Sequence, residues 1–281
     1  MAVLGVDVGG TTVKARVTGG AGEVLAEWRE PTPTGDPAAL AELVRRAAGW
    51  YPVDAVGLVV PGIVDERSGR CLRAVNLGWE DVPVRDLVAA DLAVPLAFGQ
   101  DVRAGALAEA RTGAAAGSTD PVLFAAVGTG LAGALVVAGE VLAGAWTGEI
   151  GQVLLADGRR IEEVASASAL ARRVGVPDAA TVAERVRAGE AEATAAWRDC
   201  VRALAESIAW STAVAGCGTV VVGGGLAQAG ALLLEPLTRE VTERLGILRA
   251  PRIVRAHHGD AAAVVGATLL ARELPAVSAV R

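Results

Sequence analysis

The amino-acid sequence predicts an α/β fold with a mostly parallel or mixed sheet, on three observations. Apolar runs of strand length recur along the chain, segments of helical period separate several of them, and one hairpin-like stretch is used twice.

The strand-length runs are Val3–Val8, Ala55–Val60, 96–98, Val122–Val127 and 220–222. The best punctuated helix follows Asp36, an N-cap residue, with Pro37 at the first helical position and Leu40, Leu43, Val44 and Ala47 on one face before Gly49 ends it. Further helices are expected over 102–112, 191–215, 227–245 and 260–273. Residues 8–26 read VGGTTVKARVTGGAGEVLA and residues 127–143 read VGTGLAGALVVAGEVLA. Each runs valine, Gly/Thr turn, apolar strand, glycine-containing turn, then Glu-Val-Leu-Ala. Such a repeat implies two related halves facing each other across a cleft. The first domain is expected over 1–112, with a helix at about 260–275 packing back on it, and the second over 113–281. The run Gly113 to Asp120, GAAAGSTD, reads as the linker.

Composition narrows the function classes. Hydrophobic residues make up 52% of 281 and charged ones 21%, enough apolar surface for a buried core. A net charge of −6 supplies no overall field for nucleic acid or anionic membrane, so neither is an expected partner. Asp7 interrupts the N-terminal apolar run, against a signal peptide, and a cytoplasmic protein is expected. The uncharged stretches 121–139 and 207–234 are broken by glycines and read as buried strands with tight turns rather than membrane spans. Cys71, Cys200 and Cys217 lack metal or disulfide spacing and read as small buried hydrophobes. His257 and His258 read as a loop pair.

Three glycine-rich turns after apolar strands carry the chemistry. Asp7-Val8-Gly9-Gly10-Thr11-Thr12-Val13-Lys14 combines a carboxylate, two glycines, two hydroxyls and the one lysine among 26 basic residues. Glycines admit an anion close to the backbone, N–H and hydroxyl groups donate to phosphate oxygens, and the carboxylate can hold a hydrated Mg²⁺. A glycine-rich hairpin turn without ligand is the alternative. Gly128-Thr129-Gly130 and Gly223-Gly224-Gly225 are the second and third such turns, the last placed before a helix.

Together with Pro61-Gly62-Ile63-Val64-Asp65, Asn76-Leu77-Gly78-Trp79, Asp101 and Glu149-Ile150-Gly151, these motifs resemble the ROK (repressor, open reading frame, kinase) sugar kinases. These belong to the actin-like ATPase superfamily, and the likeness runs from Leu4 to about Leu274. The resemblance implies two actin-like (ribonuclease H-like) domains, mixed β-sheets flanked by helices, and ATP with Mg²⁺ as cofactors. It implies phosphoryl transfer to a hydroxyl of a hexose, amino sugar or cyclitol, and a homodimer. Asp101 would be the general base, although it also reads as the N-cap of the following helix. Gly62, Asn76, Gln100, Glu149, Gln152 and Glu162 would touch the sugar, with Glu163 an alternative to Glu162. Gln100 stands where the family usually has Asn, and Gln152 where it has His, which alters reach at the sugar and leaves its identity open. The family's zinc knuckle is replaced by a cysteine-free segment, 154–163, so no zinc site is expected and packing or hydrogen bonds must hold that loop. A catalytically silent sugar-binding or regulatory protein of the same fold is the second reading.

Overall fold

The structure, a computed structural model, describes residues 1–274. Its chain forms two compact units. The first comprises Met1–Ala108, Ala143–Trp146 and the described chain from Ala261, and the second comprises Glu109–Leu142 and Thr147–Asp260. Residues 275–281 of the expected second domain lie outside the described residues.

The first unit opens with β1 (Val3–Val8), β2 (Thr12–Thr18), β3 (Val24–Pro31), α1 (Pro37–Gly49) and β4 (Ala55–Val60). It continues with β5 (Ile63–Asp65), β6 (Arg70–Ala74), β7 (Trp79–Val82), α2 (Val84–Ala89), β8 (Leu96–Gln100) and α3 (Asp101–Thr112), whose residues from Glu109 on belong to the second unit. Five strands form one mixed sheet in the order β3-β2-β1-β4-β8, with β1, β4 and β8 parallel and β2 and β3 antiparallel. Strands β5, β6 and β7 form a small antiparallel sheet. Asp36 caps α1 by accepting the Ala39 N–H at 2.9 Å, and Leu40, Val44 and Ala47 pack on Leu4, Val6 and Leu58 of the sheet. The other sheet face takes the last helix of the unit, Ala262–Arg272. Glycine sets how closely it approaches: a Cβ on Gly57 would stand 1.9 Å from the Ala267 carbonyl oxygen.

The second unit contains β9 (Val122–Val127), β10 (Leu131–Val137), β11 (Glu140–Val141), α4 (Ala167–Val174), α5 (Ala179–Arg187) and α6 (Ala191–Ala215). After these come β12 (Thr219–Gly223), α7 (Ala231–Leu245) and β13 (Arg252–Arg255), and the chain then returns to the first unit with α8 (Ala262–Arg272). The second sheet has the order β11-β10-β9-β12-β13, with β9, β12 and β13 parallel. Each sheet thus places a parallel pair on one side of its first strand and a hairpin on the other. The sequence repeat maps onto β1–β3 and β9–β11, and the copies diverge at their ends, where β3 runs on to Pro31 and β11 stops at Val141. The core of this unit lies between the sheet and α6, around Leu204, Ile208, Val220, Val222, Leu233 and Leu237.

Two expectations need correction. The helix expected over 227–245 begins at Ala231, because Gly230 sits at φ +62°, a conformation that ends the preceding 3₁₀ turn and re-aims the chain. The run Gly113 to Asp120 is no loose linker. Glu109, fully buried, accepts the Ala114 N–H at 2.8 Å, and Arg252 donates to the Ala114 carbonyl at 3.1 Å. Among the described residues no helix is long and apolar enough to cross a membrane.

Candidate active site

In the first unit the phosphate-type motif straddles two strands. Asp7 is buried on β1 and Lys14 lies opposite on β2, with Oδ2 and Nζ 3.6 Å apart, so each charge is partly neutralised by the other. Only residues 9–11 form the turn, closed by the Gly9 N–H donating to Thr12 O at 3.0 Å. Thr32 fastens that turn from outside: its hydroxyl donates to Gly9 O at 2.7 Å and its N–H to Thr11 O at 3.0 Å. Gly10 faces Asn76, and a Cβ at position 10 would come within 3.1 Å of the Asn76 amide nitrogen.

Strand β6 gathers the remaining residues of this half. Asn76 sits in the 3₁₀ turn Val75–Leu77 that follows it, and Gly62 abuts it so closely that a Cβ there would stand 2.2 Å from Arg73 O. Gly62 also has φ +97°, so both backbone conformation and space exclude a side chain. Burial pushes the Cys71 thiol of β6 up to about 11, and the negative charge of Asp101 adds to the rise. Gln100 pairs with Val60 across β8 and β4, so Asp101 leaves the sheet beside the 61–62 turn. Asp101 opens α3 and accepts the Val102 N–H at 2.7 Å. The cap expected of Asp101 comes instead from Gln100, whose buried Oε1 accepts the Arg103 N–H at 2.8 Å. Glutamine's extra methylene lets it reach the helix from one residue further out. Gln100 therefore has one amide atom committed to the backbone.

Around that cap lies a polar cluster without a signal in the sequence. Arg103 donates through Nε to Glu66 Oε1 at 2.9 Å, through Nη2 to Val64 O at 2.8 Å and through Nη1 to Gly144 O at 3.0 Å. Glu66 Oε1 also accepts the Gln100 N–H at 3.2 Å.

In the second unit, the turns 128–130 and 223–225 leave neighbouring parallel strands, β9 and β12, on the same side. The Gly128-Thr129-Gly130 turn closes with Gly128 N–H donating to Gly130 O at 3.0 Å, and the first residue of α4, Ala167, donates to Gly128 O at 2.8 Å. Gly224, at φ +81°, presses on Val127, where a Cβ would lie 2.4 Å from its carbonyl oxygen. Gly128 and Gly225 differ: a Cβ on either meets nothing within 4 Å, and neither lies in the left-handed region. Packing gives no reason for glycine there, whereas close approach of a phosphate to the backbone does. The two turns fit a nucleotide's phosphates, and the single carboxylate of Asp7 fits a Mg²⁺ whose other ligands are water and phosphate oxygens.

Glu149 precedes a 3₁₀ turn, Ile150–Gln152, that Gly148 holds against β10 by accepting the Gly133 N–H at 2.8 Å. Gln152 Nε2 donates to Glu162 Oε1 at 2.7 Å, while Glu162 Oε2 stands over Gly130, 2.9 Å from where its Cβ would be. Glu163 caps its own 3₁₀ turn, accepting the Arg160 N–H at 2.7 Å. Of the two glutamates, Glu162 is therefore the one directed toward Gln152 and the 128–130 turn. Backbone pairing of Leu155 with Arg159 and of Ile161 with Val153 holds the cysteine-free segment 154–163. His257 and His258 are a loop pair, each donating its backbone N–H to Glu109, at 3.0 and 2.8 Å.

Comparison with known proteins identifies the family. The chain is 30% identical over 275 residues to a glucokinase of Halalkalibacterium halodurans, covering 83% of each. It is 29% identical to the N-acetylmannosamine kinase of Yersinia pseudotuberculosis, covering 96% of this chain and 98% of the relative. A ROK family glucokinase from Streptomyces griseus, solved with glucose and AMPPNP, superposes with a TM-score of 0.85 at 27% identity, over 98% of this chain and 100% of that one. The model of the ROK family matches residues 3–274, and the chain belongs to that family.

Proposed function

We propose that Asp101 is the general base of this chain, an ATP-dependent sugar kinase. Its carboxylate takes the proton of a sugar hydroxyl as that oxygen attacks the γ-phosphorus; the new O–P bond forms as the bond to the β-phosphate oxygen breaks, and ADP leaves. The observation that carries this reading is the pairing of Gln100 with Val60, which brings Asp101 and the 61–62 turn off neighbouring strands of one unit side by side, with Gly62 against β6 and Gly10 against Asn76. The chemistry asks mainly for positioning and charge neutralisation, and the site's residues divide that work. Gly9, Gly10, Thr11 and Thr12, with Gly128, Thr129, Gly130 and Gly223 to Gly225, hold phosphate oxygens through backbone and hydroxyl donors. Lys14 offsets the charge of Asp7 and of the phosphates, and Asp7 orients the water shell of Mg²⁺, which when bound screens the phosphate charge. Gly62, Asn76, Glu149 and the Gln152–Glu162 pair contact the sugar, and Gln100 keeps the base-bearing turn in place.

The substrate class is a hexose or an N-acetylated hexosamine. An ADP-release screen with ATP over glucose, mannose, N-acetylglucosamine, N-acetylmannosamine and a cyclitol is the test. Turnover with at least one hexose or N-acetylhexosamine is expected, and none with any compound would overturn the reading.

The protein is also proposed to be a homodimer through the α6 face of the second unit. Trp210 and Val214, one turn apart on α6, are 69% and 85% exposed, and Leu142 at the adjoining sheet edge is 50% exposed. Ser211, between the two α6 residues, lines an apolar cavity of about 70 Å³ with Leu135 and Leu142. Aromatic and aliphatic side chains so placed are costly to leave in water. Light scattering should report two chains at micromolar concentration and one for Trp210→Glu; a monomeric parent would refute this interface.

A further inference from the structure

Arg103 is an unexpected residue in the first turn of α3. Its side chain is 5% exposed, and both burial and the positive end of the helix dipole act against a cation there. Packing could be met by any apolar residue of similar volume. What an arginine alone supplies is a rigid fork of donors, and here the fork reaches three acceptors on two separate stretches of the first unit. Nε meets Glu66, Nη2 meets the Val64 carbonyl in the middle of β5, and Nη1 meets the Gly144 carbonyl in the short segment Ala143–Trp146. The counter-charge is itself fixed. Arg85 donates to the carbonyls of Glu66, Arg67 and Ser68 at 3.4, 3.2 and 3.1 Å, which holds the loop that carries Glu66. Glu66 Oε1 then accepts the Gln100 N–H as well as Arg103 Nε, and Gln100 Oε1 returns to the Arg103 N–H. The residue before Asp101 and the residue two after it are thereby tied into one closed hydrogen-bonded ring.

We propose that Arg103 and Glu66 are positioning residues for the Asp101 carboxylate, setting the orientation of the turn that carries the base. The proposal rests on the reading of Asp101 as the base and goes beyond it, since neither residue touches the substrate in that reading. Displacing a catalytic group by about 1 Å costs on the order of 100-fold in rate, so an effect on kcat rather than on binding is the signature.

The test uses the full-length kinase with its best sugar and ATP. Glu66→Gln keeps an acceptor but removes the charge, and Arg103→Lys keeps the charge but loses the fork. Each kcat is taken per nucleotide-binding site titrated, so that loss of folded protein does not enter. Both variants are expected to lower kcat about 10- to 100-fold while KM for ATP and for sugar stays within about threefold. Because both residues act through Asp101, Glu66→Gln placed in an Asp101→Asn background should lower kcat by less than about twofold further. Two results would overturn the proposal: kcat within threefold of the parent in both single variants, or an equal Glu66→Gln effect with and without the Asp101 carboxylate. Glu66 is 25% exposed and glutamine keeps an acceptor oxygen for Arg103 Nε, so its variant disturbs packing less than an Arg103 variant does. Parent-level turnover of Asp101→Asn alone would instead remove the base assignment, which separates the two failures.

Discussion

Asp101→Asn is expected to lower kcat by about 10²- to 10⁴-fold, the range a general base contributes, while ATP affinity measured by calorimetry stays within about twofold. The substitution is nearly isosteric. Its carbonyl oxygen can still accept the Val102 N–H that Asp101 holds at 2.7 Å, and the helix cap belongs to Gln100, so α3 has no structural reason to move. What disappears is the capacity to take a proton. Parent-level turnover would mean that another group receives it, or that the hydroxyl keeps its proton until late in the transfer.

The second large effect concerns stability. Glu109 is fully buried, and its two oxygens accept three backbone N–H groups, from Ala114, His257 and His258. The carboxylate thus joins the turn after α3 to the loop after β13, both in the second unit. Glu109→Ala leaves three backbone donors without their acceptor. Each hydrogen bond to a charged group is worth about 1.5–3 kcal/mol, and partial relaxation keeps the sum below simple addition. A loss of about 3–5 kcal/mol is expected, read as a lower urea midpoint by circular dichroism. Glu109→Gln retains one acceptor and should fall between the two. A loss under about 1 kcal/mol for the alanine variant would show that water replaces the carboxylate at no cost.

The parts of the fold legible from sequence are those with strong local patterns. Strands β1, β4 and β9 are near-continuous apolar runs bounded by turn residues, and their observed limits coincide with the runs; α6 coincides with 191–215. The duplicated hairpin was readable because one turn chemistry serves both copies, and the matching strand orders of the two sheets give it structural meaning. Helix α7 was legible in type but not in its start, since a glycine inside an apolar helical period does not announce its φ. The candidate site was legible where glycine and a carboxylate stand at strand ends, as at Asp7, Gly9 and Gly128. It was not legible at Thr32, Glu66, Arg103 or Glu109. Apart from the bond between Glu109 and Ala114, five residues apart, those side chains act on groups 23 to 149 residues away, and no periodicity or spacing records such contacts. The capping by Gln100 was hidden for a different reason: glutamine is a poor N-cap by propensity, and only the buried strand end makes it effective.

A crystal structure of the kinase with its best sugar and a non-hydrolysable ATP analogue would test the base assignment at its source. One sugar hydroxyl, the one found phosphorylated in the product, should lie about 2.6–3.2 Å from an Asp101 carboxylate oxygen. A sugar held elsewhere, or one whose phosphorylated hydroxyl faces a different carboxylate, would contradict the assignment.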